Sequence, residues 1–380
     1  MLCSLSKPAM PKAAPSCAIP FQQYYTVPEA DCVDRIWAIK HTMGDSLCLL
    51  AHHYQRDDVY QFAHETGDSL KLAYLAARSV APYIVFCGVH FMAEVADMVT
   101  RPTQKVILPD MAAGCSMADM ANLVTVERSW QELSRVLNPD EKIIPITYVN
   151  SSADLKAFCG RHGGIICTSS NAHKVLAWAF QQREKVLFFP DQHLGRNTAH
   201  SMGIPLSDMA LWDFNQPMGG LTRSEIEHAK LLLWNGWCAV HQRFAPEHIE
   251  AYRAKHPDTI VLAHPEAEFA VCQQAQYVGS TSGILDYVKK SPPGSHFLVA
   301  TEYNLVNRLH QQFKSEGKQV HFMAPKVSVC STMYRIDLPH LLWVLDNLQW
   351  GTVVNQVIVD PTIQQEALKA IHRMFEVTGG

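Results

Sequence analysis

The most constraining feature of this 380-residue chain is a four-part pattern that occurs three times between residues 33 and 335. In the first third, the apolar run LCLLA (47–51) ends in His52-His53-Tyr54-Gln55. Gly67-Asp68-Ser69-Leu70 then opens a helical pattern, YIVFCGV ends in His90-Phe91-Met92, and KVILPD leads to Ala113-Gly114-Cys115. In the second third, IIPITYV ends in Asn150-Ser151-Ser152 and GGIICTSSNA precedes a helical pattern. KVLFFPD then ends in Gln192-His193-Leu194-Gly195, and a longer stretch closes on Trp234-Asn235-Gly236-Trp237-Cys238. In the last third, TIVLA ends in His264-Pro265-Glu266 and Gly279-Ser280-Thr281-Ser282 opens a helix. HFLVA ends in Thr301-Glu302, and QVHFMA leads to Cys330.

Short apolar runs alternating with helical patterns predict parallel sheets covered by helices, and repetition predicts similar units. The expected fold class is α/β: three similar αβα domains with short parallel sheets around a pseudo-threefold axis. Ligands of parallel sheets bind beyond the carboxyl ends of the strands. The polar tips stand there in every unit, so the active site is expected at the centre, with the cysteines at its base. The expected organisation is a flexible N-terminal arm (1–30), three αβ domains (31–122 with Cys115, 123–240 with Cys238, 241–335 with Cys330) and C-terminal helices packed on the body (336–380). The middle unit is longest, and its excess falls at 203–232, which reads as an insertion able to alter a lid over the pocket.

The first twenty residues are rich in Pro, Ala and Ser and lack the continuous apolar core of a secretory signal. With two lysines and no acid, a transit peptide is the alternative to a plain arm. A net charge of −4 does not call for nucleic acid or an anionic membrane as partner. No apolar run reaches the roughly 20 residues that span a bilayer.

Eleven cysteines, scattered and odd in number, fit a reducing, cytoplasmic setting rather than a disulfide frame. Cys48, Cys87, Cys159, Cys167 and Cys272 lie in apolar stretches and read as small core residues. Cys3, Cys17 and Cys32 receive no role. No CxxC pair occurs, which disfavours structural zinc. Cys115, Cys238 and Cys330 hold equivalent places in the three repeats. Three thiolates suit an iron–sulfur cluster with one iron left free as a Lewis acid.

The chain resembles the quinolinate synthase family of NAD biosynthesis. The resemblance rests on AHHYQ (51–55), GDSL (67–70), GVHFMAE (88–94), AGCSMAD (113–119), YVNSSAD (148–154), CTSSNA (167–172), PDQHLG (190–195), WNGWCAVH (234–241), AHPE (263–266), GSTS (279–282) and ATE (300–302). It covers residues 30–375. It implies a transferase-type enzyme that condenses iminoaspartate with dihydroxyacetone phosphate, losing phosphate and two waters to give quinolinate. It also implies one 4Fe–4S cluster per chain, held by Cys115, Cys238 and Cys330. An aspartate-oxidising enzyme is the implied source of iminoaspartate. By motif, the substrate-binding set is His52, Ser69, Tyr148, Asn150, Ser169, Ser170, His241, His264, Glu266 and Thr281. Gln192 departs from the family, where Lys or Arg is common.

The chemistry of these side chains gives them expected roles. Ser and Thr at helix starts hold anions with few cations, although each is also an ordinary N-cap. Glu266 and His264 are the acid–base candidates, and Tyr54 is placed to donate to a developing oxyanion. His90, His193 and Glu302 stay secondary. Trp234 and Trp237 flank the second cysteine and are read as cluster shields or core. The alternatives are another threefold three-cysteine enzyme, similar to the isoprenoid diphosphate reductase, and a cluster-free binding protein of the same fold. A GDSL-type hydrolase, with Asp337-Leu-Pro-His340 completing a triad around Ser69, is the remaining one.

Overall fold

The computed structural model describes residues 18–379. Cys3, Cys17 and most of the expected N-terminal arm lie outside the described residues. The first sheet comprises β1 (Leu47–His52), β2 (Glu65–Gly67), β3 (Tyr83–Cys87) and β4 (Lys105–Ile107), all parallel, in the order β2-β1-β3-β4. The second comprises β5 (Ile143–Tyr148), β6 (Ile165–Cys167), β7 (Lys185–Phe189), β8 (Met209–Trp212) and β9 (Leu231–Trp234), in the order β6-β5-β7-β9-β8. The third comprises β10 (Ile260–Ala263), β11 (Tyr277–Val278), β12 (His296–Ala300) and β13 (Gln319–Phe322), in the order β11-β10-β12-β13. The same four-strand topology therefore occurs three times.

The strands are continuous apolar runs because helices cover both faces of each sheet; every residue of β5 and β7 is buried. The second strand of each sheet is only two or three residues long, because a helix must start directly after it. Asp68 caps the helix Ser69–Arg78 by accepting from the Lys71 amide, and Ser280 caps Thr281–Lys290 by accepting from the Gly283 amide.

Two sheets carry extra strands at corresponding edges. β14 (Gln356–Val357) joins β4 antiparallel, so the C-terminal segment contributes a strand as well as the helices Leu338–Gln349 and Pro361–Thr378. β8 comes from the 203–232 stretch. Its Trp212 is fully buried and donates to Ser129 Oγ, and Gly219, at φ +65°, leaves room for the indole. None of these residues lines the central cleft among the described residues. The insertion thus widens the second sheet; the expected influence on a lid is not seen, because the segment is spent on the sheet's outer edge.

One apolar core runs through the first two sheets and the C-terminal helices. The third sheet has its own core on each face. No helix among the described residues is long and apolar enough to cross a membrane.

The helix Ala153–Arg161 packs closely on Pro361–Thr378. A β-carbon at Gly160 would lie 1.9 Å from the Glu366 carbonyl oxygen. Gly160→Ala must therefore separate the two helices. It is expected to lower stability by about 1–3 kcal/mol, as overpacking does, and thermal unfolding of purified protein reads this as a lower midpoint.

Candidate functional site

The carboxyl ends of the three sheets open on one cleft. Its lining includes His52, Tyr54 and Ser69 from the first unit, Tyr148, Asn150 and Ser169 from the second, and His241 at the junction of the second and third. His264, Glu266 and Thr281 come from the third, and Cys115, Cys238 and Cys330 from one unit each. No lysine or arginine is among the lining residues described. Thirteen of the fourteen residues singled out from the sequence therefore meet here. The exception is Ser170, whose hydroxyl donates to Asp68 Oδ2 and which lines a neighbouring cavity.

The three cysteines share one local geometry. Each begins a turn in which its carbonyl accepts from the amide four residues on: Asp119 to Cys115 at 3.0 Å, Gln242 to Cys238 at 3.1 Å, and Tyr334 to Cys330 at 2.9 Å. Each is followed, three residues on, by a short 3-10 helix: Ala118–Met120, His241–Arg243 and Met333–Arg335. Backbone amides of that helix start approach each sulfur. Burial pushes the Cys115 thiol up to about 12, Cys238 well above the ordinary range, and Cys330 upward. All three are free. Desolvated sulfurs that face one another, with amide donors but no protein cation in the cleft wall, suit a soft, positively charged metal centre. No fourth cysteine lines the cleft among the described residues, so a cubane held here keeps one iron without a thiolate.

The ligand loops are tied to one another. Trp234 Nε1 donates to the Met120 carbonyl at 2.8 Å, joining the Cys238 and Cys115 loops. Arg335 Nε donates to Asp110 Oδ2 at 2.8 Å, joining the Cys330 loop to the end of the first sheet. Gly236 pairs with Asp191 as an isolated bridge, and a β-carbon there would sit 2.3 Å from the Pro190 carbonyl. Trp234 is fully buried and stacks on Phe214 with ring centroids 5.1 Å apart. Trp237 is 37% exposed, whereas Trp234 belongs to the large apolar core and does not line the cleft, which is the core reading of that residue.

Two histidines are fixed by a repeated turn. His52 Nδ1 accepts from the Tyr54 amide at 3.1 Å, and His264 Nδ1 faces the Glu266 amide at 3.4 Å. Both rings therefore carry their proton on Nε2. Burial lowers each to about 3, so they are neutral donors at pH 7.

Glu266 is the buried hub. Tyr148 Oη donates to Oε1 at 2.7 Å, and His241 Nδ1 lies 3.0 Å from Oε2, off the line of a well-aligned hydrogen bond. Burial alone would raise its carboxyl; His241, His264 and the Tyr148 hydroxyl reverse the direction and hold it ionised. Burial, then the Glu266 charge, pushes both Tyr54 and Tyr148 well above the usual phenol range, so both are protonated donors. Cys238 Sγ lies within 4.8 Å of donor atoms on His241 and Glu266, so the acid–base set abuts the thiols.

The secondary candidates lie elsewhere. Glu302 caps the helix Tyr303–Phe313 and accepts from the Cys330 amide at 3.3 Å; burial pushes its carboxyl up to about 8. His90 stands 3.7 Å from Glu94, outside the cleft. His193 is buried beside Arg196, and Gln192 bridges Asn235 and Arg196. Asp337 and His340 pair with each other and do not line the cleft with Ser69, so no hydrolase triad forms around that serine. Two residues quoted in the repeat carried no assigned role: Asp68 of GDSL, and Thr301 at the tip of HFLVA. Asp68 lines the cleft, held ionised against its burial by the Lys71 amide and the Ser282 and Ser170 hydroxyls.

Comparison with known proteins gives a consistent result. The family model described as quinolinate synthetase A protein matches residues 34–376. A quinolinate synthase of Acidobacterium capsulatum is 48% identical over 95% of this chain and 97% of its own length. Those of Bacillus cytotoxicus and Bacillus anthracis are 49% and 48% identical, each over 93% of this chain and 95% of their own.

Burial lowers His53 and His193 to about 4. A folded-state value below the unfolded one, about 6.5, means that the unfolded chain binds more protons, so stability falls as pH drops below about 6.5 towards 4. Each ring is expected to cost about 2 kcal/mol between pH 7 and pH 5. His53→Gln or His193→Gln removes one share, so denaturant unfolding at the two pH values shows a smaller acid loss in either variant than in the parent.

Proposed function

The chain belongs to the quinolinate synthetase A family, and on that premise we propose that it condenses iminoaspartate with dihydroxyacetone phosphate, with a 4Fe–4S cluster on Cys115, Cys238 and Cys330. It is an enzyme of NAD biosynthesis, a quinolinate synthase acting on small-molecule substrates. Phosphate and two waters leave as the pyridine ring closes. The observation that carries the reading is the meeting, in one cleft, of a cysteine from each unit with Tyr148, His241, His264 and Glu266. We take residues 31–122, 123–240 and 241–335 as the three units, 1–30 as a preceding arm and 336–380 as a closing segment. The free thiols favour a reducing, cytoplasmic setting, and an aspartate-oxidising enzyme is the class that supplies iminoaspartate.

A cluster bound at the three thiols supplies a Lewis acid for a substrate hydroxyl or carboxylate. The protein's own side chains do the rest. Ser69 and Thr281 stand at helix starts and Ser169 near one, where hydroxyls and unpaired amides hold phosphate and carboxylates without lysine or arginine. Ser170 contributes through Asp68. The Nε2–H groups of His52 and His264, with Asn150, orient the carboxylates. Tyr54 and Tyr148 are protonated phenols whose protons, held by Thr301 and Glu266 in this structure, turn to an oxygen that gains negative charge. Glu266, ionised and hydrogen-bonded to Tyr148, takes the proton from carbon next to the carbonyl or imine, and the Tyr148 hydroxyl and the neighbouring His241 ring steady the charge it carries.

Prepared without oxygen, the protein is expected to hold about four irons per chain and to form quinolinate from the two substrates. Cys115→Ser, Cys238→Ser or Cys330→Ser should each abolish turnover, whereas Cys272→Ser, a buried thiol outside the cleft lining, should not. Quinolinate formed with any ligand cysteine replaced would refute the assignment. Glu266→Gln keeps the shape and removes the base; kcat should fall by about 100-fold or more, read by the same assay.

A further inference from the structure

Thr301 follows β12, is fully buried, and does not line the cleft. Its hydroxyl is nevertheless the only described atom joining Tyr54 to the Glu266 cluster. Thr301 Oγ1 lies 2.7 Å from Tyr54 Oη and 3.4 Å from His241 Nε2. The far nitrogen of that ring, Nδ1, is 3.0 Å from Glu266 Oε2, and Glu266 Oε1 accepts from Tyr148 at 2.7 Å. The donor directions follow from the carboxylate. An ionised Glu266 only accepts, so the His241 proton sits on Nδ1 and Nε2 is left as an acceptor. Nε2 then receives the Thr301 hydroxyl, and the Thr301 oxygen receives the Tyr54 phenol.

We propose that Thr301 is a positioning residue of the reaction: its hydroxyl fixes the Tyr54 phenol and holds it to the His241 ring that stands beside Glu266. The proposal rests on the quinolinate synthase reading above. The backbone around Tyr54 is held by other means. Asn304 Nδ2 donates to the Tyr54 carbonyl at 3.2 Å, and Arg308 donates to the carbonyls of His53 and Gln55 at 2.9 and 2.6 Å. Removing the Thr301 hydroxyl therefore frees the phenol and the ring without moving the loop that carries the phenol. A threonine also suits the place better than serine for stiffness, because two heavy atoms on Cβ restrict χ1.

The test compares Thr301→Val, which keeps the shape, with Thr301→Ser, which keeps the hydroxyl. In oxygen-free protein, Thr301→Val should retain the parent's iron content and visible absorption and a KM within about threefold of the parent, while kcat falls about 10- to 100-fold, as loss of an orienting hydrogen bond does. Thr301→Ser should recover kcat to within about threefold of the parent. Because Thr301 acts through Tyr54, adding Thr301→Val to Tyr54→Phe should cost little more than Tyr54→Phe alone. Parental kcat in Thr301→Val, equal loss in Thr301→Ser, fully additive losses in the double variant, or loss of iron from Thr301→Val would each overturn the proposal. Failure of the parent itself to form quinolinate from the two substrates would instead sink the functional reading on which it stands.

Discussion

A carboxylate buried at the meeting of two units sets the terms for the rest of this structure. Glu266 is 4% exposed, and an isolated charge at that depth would cost several kcal/mol. Its partners come from both sides: Tyr148 from the end of β5, His241 from the loop after β9, and His264 from its own strand tip. The second and third units must therefore meet in one register for the charge to be tolerated. His241 also begins the short 3-10 helix that follows Cys238. The same turn thus places a thiol and a charge partner, and the distance between acid–base chemistry and the cysteine site is fixed by three residues of backbone.

The repeated cysteine turn shows how one local solution serves three different loops. The loops after β4, β9 and β13 differ in length and sequence, yet each delivers its sulfur at the start of a 3-10 helix with the same carbonyl-to-amide closure. Amide hydrogens favour the thiolate while burial disfavours it. Apart from a bound cation, little else in the cleft offsets that burial. The fit of a metal centre is thus a matter of charge balance as well as of ligand type.

Much of this could be read from the sequence, for physical reasons that also explain the gaps. Parallel strands covered on both faces must be unbroken apolar runs, so nine of them were visible as such runs, and the polar tips named the cleft. β14 could not be seen, because Gln356–Val357 has no apolar length and owes its pairing to β4. The role of 203–232 was open because one edge strand with a buried tryptophan reads much like a loop. Ser169 and Ser170 look alike in sequence, yet they are the central residues of a turn closed by the Asn171 amide on the Thr168 carbonyl, and one enters the cleft while the other meets Asp68. Thr301 escaped notice because its meaning lies in partners 60 and 247 residues away.

The separate cores of the third sheet carry a consequence of their own. Its apolar interior does not continue into that of its neighbours; of the residues packed against the two bodies, Tyr54 is shared by the large core and one of the small ones. Much of what crosses the boundary is polar: Asn197 to the carbonyls of Pro265 and Ala267, Arg308 to those of His53 and Gln55, Tyr148 to Glu266. Water can substitute for such partners at little net expense, each exchange being worth about 0.5–1.5 kcal/mol, whereas parting an apolar seam of equal extent would expose hydrocarbon. The cleft thus lies along a boundary held in large part by hydrogen bonds, and a ligand that enters it adds its own to those that hold the units together.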